Sequence, residues 1–219
     1  MTLQPLAGRH QLTPLAQARG AAPIWSQWFT HFWMFKGAAS YAISLIDLLS
    51  GVTAIEGNGA VPWATGTGLS FVAASAKYLK MGVVPTTGNT LLIQYANCVT
   101  AVSGWLCEAR GAFTRQMGFR VEAASVRYED GGERDVAPTL ATGNLGVTAQ
   151  QGYRNGVANG APTAAWTGAG TVELYVGCRN IGGAPSSYCT AEIRALGFKN
   201  DGTLTAAQML AAETAMAAL

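Results

Sequence analysis

At 219 residues the chain is long enough for one sizeable domain whose core needs no covalent staples. Only 12% of the residues are charged and 49% are apolar, which excludes disorder over most of the length. The net charge of +2 comes from Lys and Arg residues scattered singly, so the basic stripe that nucleic-acid binding needs is missing.

Residues 1 to about 23 carry Pro5, Pro14 and Pro23 with Gly8 and Gly20, and read as an extended arm without a core pattern. No secretory signal pattern opens them. No apolar run anywhere approaches the ~20 residues that span a bilayer, so a membrane partner is not expected.

The next stretch, "IWSQWFTHFWMF", concentrates large rings. Trp25, Trp28, Phe29, Phe32 and Trp33 recur at i, i+3, i+4, i+7 and i+8, one stripe of an α-helix running to Phe35. A strand is the competitor, because aromatic residues also favour sheets. Each ring can bury ~150–250 Å², so the patch must be covered. Trp25, Trp28, Phe29, Phe32, Trp33 and Phe35 are expected at a subunit interface, with residues 1–36 as an assembly arm.

From about residue 41, short runs rich in Val, Ile, Leu, Phe and Tyr alternate with Gly-rich turns. The expected strands are 68–73, 77–82, 89–97, 102–108, 116–128, 145–153, 171–178 and 188–198. In "TVELYVGC", Val172, Leu174, Val176 and Cys178 share one face. Turns are expected at 129–132, Gly143-Asn144, Asn155-Gly156, Asn159-Gly160 and Gly182-Gly183; Asn155-Gly156 is the strongest hairpin signal. This spacing predicts an all-β antiparallel sandwich or jelly roll over residues 37–219. Thr205 followed by Gln208 forms a capping box, which predicts a C-terminal helix over 206–217.

Chemistry-bearing residues are few. Cys98, Cys107, Cys178 and Cys189 form two local pairs, read either as buried thiols or as one or two hairpin disulfides. With no C-x-x-C and only His10 and His31, neither a metal site nor a Ser-His-Asp arrangement is expected. Glu129, Asp130, Glu133, Arg134 and Asp135 read as a solvated hairpin; Glu129 and Asp130, as neighbours, would face opposite sides of a strand. Trp63, Trp105, Arg154, Asn155 and Trp166 lie near turns and are the candidate ligand contacts.

Several stretches together resemble laminin-G-like, concanavalin A-like jelly rolls. They are "LIDLLSGVTAIEGNGAVPWATGTGLSFVAASAKYL", "GYRNGVANG", "TVELYVGCRN" and "AEIRALGFKNDGTLTAAQM". The resemblance spans about residues 41 to 219. The Ala/Gly-rich style is similar to virion proteins of tailed bacteriophages. It implies a non-enzymatic structural role decorating or cementing a capsid, localisation on the virion, capsid or tail subunits as partners, and a homo-oligomer, by analogy a trimer. The alternative is a carbohydrate- or receptor-binding module of a phage tail or tail fibre. "GLSFVAASAKYLK" lacks the Asp or Asn of family members that bind calcium or sugar, so no cofactor is expected.

Overall fold

The computed structural model describes residues 25–101, 103–112, 115–164 and 166–219. The expected extended arm lies outside the described residues.

Strands dominate. In chain order, β1 is His31–Met34, β2 Ile55–Gly57, β3 Trp63–Ala64, β4 Gly68–Phe71 and β5 Tyr78–Lys80. Next come β6 (Thr90–Ala96), β7 (Gly104–Ala112), β8 (Arg115–Val121), β9 (Val126–Asp130) and β10 (Gly132–Val136). They are followed by β11 (Gly143–Thr148), β12 (Gln151–Arg154), β13 (Val157–Ala158) and β14 (Tyr175–Val176). The last are β15 (Arg179–Ile181), β16 (Ala184–Ser186) and β17 (Ala191–Lys199). The helices are α1 (Tyr41–Ser44) and α2 (Ala206–Ala217), with a single 3-10 turn at Ala73–Ser75.

One sheet runs β13-β12-β11-β6-β17-β4-β3, with β1 added along β17. The other runs β10-β9-β8-β7-β14-β5-β2, with the β15–β16 hairpin on β7. Every pairing is antiparallel except β15 with β7. The fold is the expected antiparallel jelly-roll sandwich. Its main core lies between the sheets and includes Leu91, Ile93, Tyr95, Leu106, Met117, Phe119, Leu174, Val176, Ile193 and Leu196. Alternate residues face inward, as the two-residue period of a strand dictates.

The turn chemistry follows the sequence in part. Asn155 and Gly156 sit at φ +50° and +79° and close the β12–β13 hairpin. Gly182-Gly183 closes β15–β16. Run 145–153 divides into β11 and β12 at Ala149 and Gln150, both with positive φ. Run 116–128 divides into β8 and β9. Gly143-Asn144 opens β11 instead of forming a turn. Helix α2 has the expected bounds, and Thr205 and Gln208 form the full capping box.

The aromatic stretch departs from the helical reading. One helical turn follows Trp25, whose carbonyl accepts from the amides of Trp28 and Phe29. The chain then extends into β1, pairing His31–Met34 with Phe198–Ala195. This completes the edge of β17 beyond β4, since β4 covers only Ala191–Ile193. Phe32 turns outward and Trp33 inward, the alternation of a strand. Part of the helical stripe survives as a cluster: Trp25, Phe29 and Phe32 cover the outer face of the sheet, and Trp28 packs against them. Trp25 stacks on Phe32 with centroids 4.0 Å apart. Phe29 lies over Gly197, where a Cβ would meet its ring at 2.6 Å.

The expected interface role therefore fails for five of the six residues. Trp25, Phe29, Phe32, Trp33 and Phe35 are buried within their own chain, and only Trp28 is partly open. The boundary drawn at residue 36 cuts through a single packed unit.

Asp47 fixes this segment. Its Oδ1 accepts from the amides of Phe32 (2.8 Å) and Leu49 (2.9 Å). Its Oδ2 accepts from Ser50 Oγ and contacts His31 Nδ1 at 2.7 Å. Burial alone would push this carboxyl up, but the four hydrogen bonds outweigh it and hold it below its ordinary value. Asp47→Ala is expected to destabilise the fold by about 3 kcal/mol in denaturant titration, because it strands a buried amide and an imidazole. A change under about 0.5 kcal/mol, the range of neutral surface substitutions, would contradict this account.

Candidate functional site

The outer face of the nine-stranded sheet carries most of its polar groups. Gly118 on β8 lies between Glu108 on β7 and Glu129 on β9 in register. A Cβ at Gly118 would stand 2.4 Å from the Cys107 carbonyl, so only glycine lets β7 and β8 close here. Both carboxyl groups are buried. Arg179 Nε donates to Glu108 Oε2 at 2.8 Å, and its guanidinium lies over the Trp105 ring at 5.1 Å. Burial pushes Glu108 up to about 7 against the pull of Arg179 and Arg110. Burial, then the negative charge of Glu108, pushes Glu129 well above its ordinary value. The two carboxyl groups thus titrate as a pair that holds its protons more tightly than free carboxylates do.

Glu129 and Asp130 face opposite sides of β9, as neighbours on a strand must. They are not the solvated turn the sequence suggested, because Gly131 alone turns the chain. Glu133 and Asp135 do form a surface cluster, both bonded to Arg127 at 2.6–2.8 Å. No group of three or more His, Cys, Asp or Glu among the described residues could hold a metal ion.

Asp130 opens onto a different place. Its Oδ1 accepts from Trp166 Nε1 at 2.5 Å, and its Oδ2 from the Gln150 amide at 2.8 Å. Gln150 Nε2 in turn donates to the Ala164 carbonyl at 2.8 Å. Burial pushes the Asp130 carboxyl up, against these two donors. Together Asp130, Ala149, Gln150 and Trp166 line a rim depression of about 240 Å³ with Thr87 and Gly88. That lies below the ~300–1,000 Å³ of drug-sized sites and suits a single small ring. Trp166 is half-buried, Thr87 exposed, and the β11–β12 turn sits beside them.

The other candidate contacts have structural work. Trp105 is only 1% exposed, and the guanidinium groups of Arg120 and Arg179 lie over its ring. Trp63 Nε1 donates to the Phe35 carbonyl at 2.6 Å. Arg154 donates to the Val136 carbonyl at 3.1 Å. Asn155 Oδ1 accepts from the Asn144 amide at 2.9 Å and borders a separate cavity. The five residues are thus not brought together, and Trp166 alone reaches the rim depression. Asp130 and Gln150 carried no sequence signal as its walls, because a turn and a loop distant in sequence bring them there.

The disulfide reading also fails. Cys98, Cys107, Cys178 and Cys189 are all free and buried, and desolvation raises every one of the thiols. Such thiols pack as small apolar side chains.

No protein-family model and no curated protein matches this sequence. Among solved structures the fold is similar to Trypanosoma rangeli sialidase in complex with 2,3-difluorosialic acid, a covalent intermediate. The TM-score is 0.58 at 14% identity, over 83% of this chain and 32% of that one. A T. rangeli sialidase mutant displaying trans-sialidase activity gives 0.56 at 15% identity, over 84% and 32%. The Ruminococcus gnavus IT-sialidase CBM40 bound to α2,3-sialyllactose gives 0.46 at 13% identity, over 59% and 84%. The chain spans about a third of the length of the T. rangeli sialidases. At these identities the likeness concerns the fold alone.

Because Glu108 and Glu129 bind protons more readily folded than unfolded, their contribution to stability fades as pH rises from the ordinary carboxyl range through 7. Glu129→Gln removes the group that resists ionisation. The variant is expected to gain about 1–3 kcal/mol over the parent at pH 8, and clearly less at pH 5. Denaturation at both pH values checks this; equal effects would contradict the buried pair.

Proposed function

We propose that this chain is a non-catalytic binding module that takes a sugar ring of a glycan at the rim depression. One observation carries the reading: a half-buried indole stands beside a carboxylate and an amide in a ring-sized depression. An indole offers its face to the C–H side of a pyranose. Asp130, itself 2% exposed, holds the indole and Gln150 in place, and exposed Thr87 supplies a hydroxyl that both donates and accepts. The non-catalytic part rests on the buried acids. Glu108 and Glu129 are fully covered, and neither borders the depression. Most glycosidases work with two carboxyl groups that flank an accessible bond, and this buried pair does not offer that arrangement.

The virion setting implied by the sequence resemblance belongs to the same proposal, as a module displayed on the capsid or tail of a tailed phage. Display is favoured over a cementing contact through the aromatic stretch, because five of its six rings are buried in the chain's own core.

A glycan array followed by calorimetry on the strongest ligand tests the proposal. Trp166→Ala is expected to weaken binding at least about tenfold, a loss of about 1.4 kcal/mol, with an unchanged far-UV spectrum. Absence of glycan binding, or binding that ignores Trp166→Ala, would overturn it.

A further inference from the structure

Helix α2 lies across the outer face of the eight-stranded sheet, over β11 and the β12–β13 hairpin. Two glycines allow the close approach. A Cβ at Gly156 would stand 2.3 Å from Leu210 Cδ1, and one at Gly146 would stand 2.8 Å from Met209 Sδ and 3.1 Å from Glu213 Oε1. Under the last turn of the helix the two surfaces part, leaving a cavity of about 260 Å³ lined by Asn144, Asn155, Glu213, Thr214 and Ala217.

This lining is rich in acceptors. Glu213 is 1% exposed; its Oε2 accepts from the Gly156 amide, and its Oε1 has no hydrogen-bond partner among the described residues. Asn144 is 5% exposed and gives its Nδ2 to the Glu213 carbonyl at 3.2 Å. That orientation leaves Asn144 Oδ1 as a second buried acceptor without a partner among the described residues. Thr214 Oγ1 donates its proton to the Leu210 carbonyl at 2.7 Å and so keeps only lone pairs to offer. The C-terminal turn of α2, with its partial negative charge, forms one wall. A carboxyl group, an amide oxygen, a hydroxyl oxygen and a helix C-terminus thus border one small cavity.

We propose that this cavity is a binding site for a primary ammonium group, either on a free amine or on a lysine side chain presented by a partner. An ammonium carries three donors and one positive charge. It would bond the Glu213, Asn144 and Thr214 oxygens and neutralise a carboxylate that has no ion-pair partner among the described residues. A single carboxylate does not suit a divalent metal, which takes several charged oxygens.

The site should be pH-gated. Burial, opposed only by the Gly156 amide, pushes Glu213 up to about 7. The lining residues from β11 and the hairpin, Asn144 and Asn155, do not titrate. Among nearby charged groups, Arg154 on β12 is turned to the Val136 carbonyl, and Tyr128 on β9 feels the Glu213 charge through a hydroxyl that stays protonated. Ammonium binding must therefore ionise Glu213 and release its proton below pH 7.

The test is an NMR titration of the full chain with n-butylammonium, with Nα-acetyl-lysine methylamide and with neutral n-butanol. At pH 8 both amines are expected to shift the Gly156 amide and the Asn144 and Asn155 side-chain amides, while butanol leaves them in place. Butylammonium affinity should fall by about 30-fold at pH 5.5, where Glu213 is protonated. Glu213→Gln keeps an acceptor for Gly156 and should abolish amine binding with spectral dispersion retained. Should that variant unfold, the wild-type Glu213 carboxyl resonance decides, since saturating amine must move its titration to lower pH. Equal shifts by butanol, equal affinity at the two pH values, an unmoved carboxyl titration, or no shift at tens of millimolar amine would each overturn the proposal. None of these outcomes depends on glycan binding at Trp166.

Discussion

The pairing of β1 with β17 is the constraint on which the rest of the structure depends. Strand β17 lies beside β6 along nearly its whole length, but β4 covers only the first part of its other edge. Bare strand edges expose unpaired backbone groups and invite association. His31–Met34 fill the vacancy, and Asp47 locks them there through the Phe32 amide and the His31 ring. Once the segment is a strand, its rings must divide between two faces. Trp33 goes to the inner core, while Phe32 joins Trp25 and Phe29 against Gly197. The outer cluster they found is completed by Met209, Ala212 and Met216 of α2. One edge pairing thus sets both the inner packing and the cover on the outer face.

That cover decides where recognition chemistry can sit. The aromatic turn and α2 cover the middle of the outer face of the eight-stranded sheet, and the end of the helix lifts from Asn144 and Asn155. The outer face of the other sheet is filled by its own ion pairs around Trp105 and Arg127. The rim also stays open, where the β11–β12 turn, the end of β9 and Trp166 meet. Acids in all three places have carboxyl groups raised by burial, yet for different ends. Glu129 shares a buried, raised titration with Glu108, Asp130 anchors two loop donors, and Glu213 waits beside unpaired acceptors.

Much of the fold was legible where local chemistry decides it. The Asn155-Gly156 turn needs positive φ at both residues, and the Thr205–Gln208 box satisfies orphan amides without outside help. The aromatic stretch was misread because its i, i+3, i+4 spacing carries no information about a vacant edge on a strand some 160 residues later. Strand and helix share the positions 25, 29 and 32; only Trp33 separates them, and its inward slot exists only in the folded sandwich. The two local cysteine pairs looked alike in spacing, but register alone decides whether thiols meet. Among the site residues, Trp166 was visible as an aromatic near a turn, whereas Asp130 and Gln150 join it only through tertiary contact. Glu213 had a signal that spacing could have disclosed: it is the one charged residue in an apolar helix, on the stripe of Met209, Ala212 and Met216.

Native-state hydrogen exchange across residues 31–35 tests the central claim most directly. The account predicts that the amides of Phe32 and Phe35, bonded to Asp47 and to the Arg194 carbonyl, exchange only through global unfolding, with the same opening free energy as β17. Exchange of these amides through a local opening, while β6 and β17 stay protected, would make the aromatic stretch a detachable arm and contradict the account.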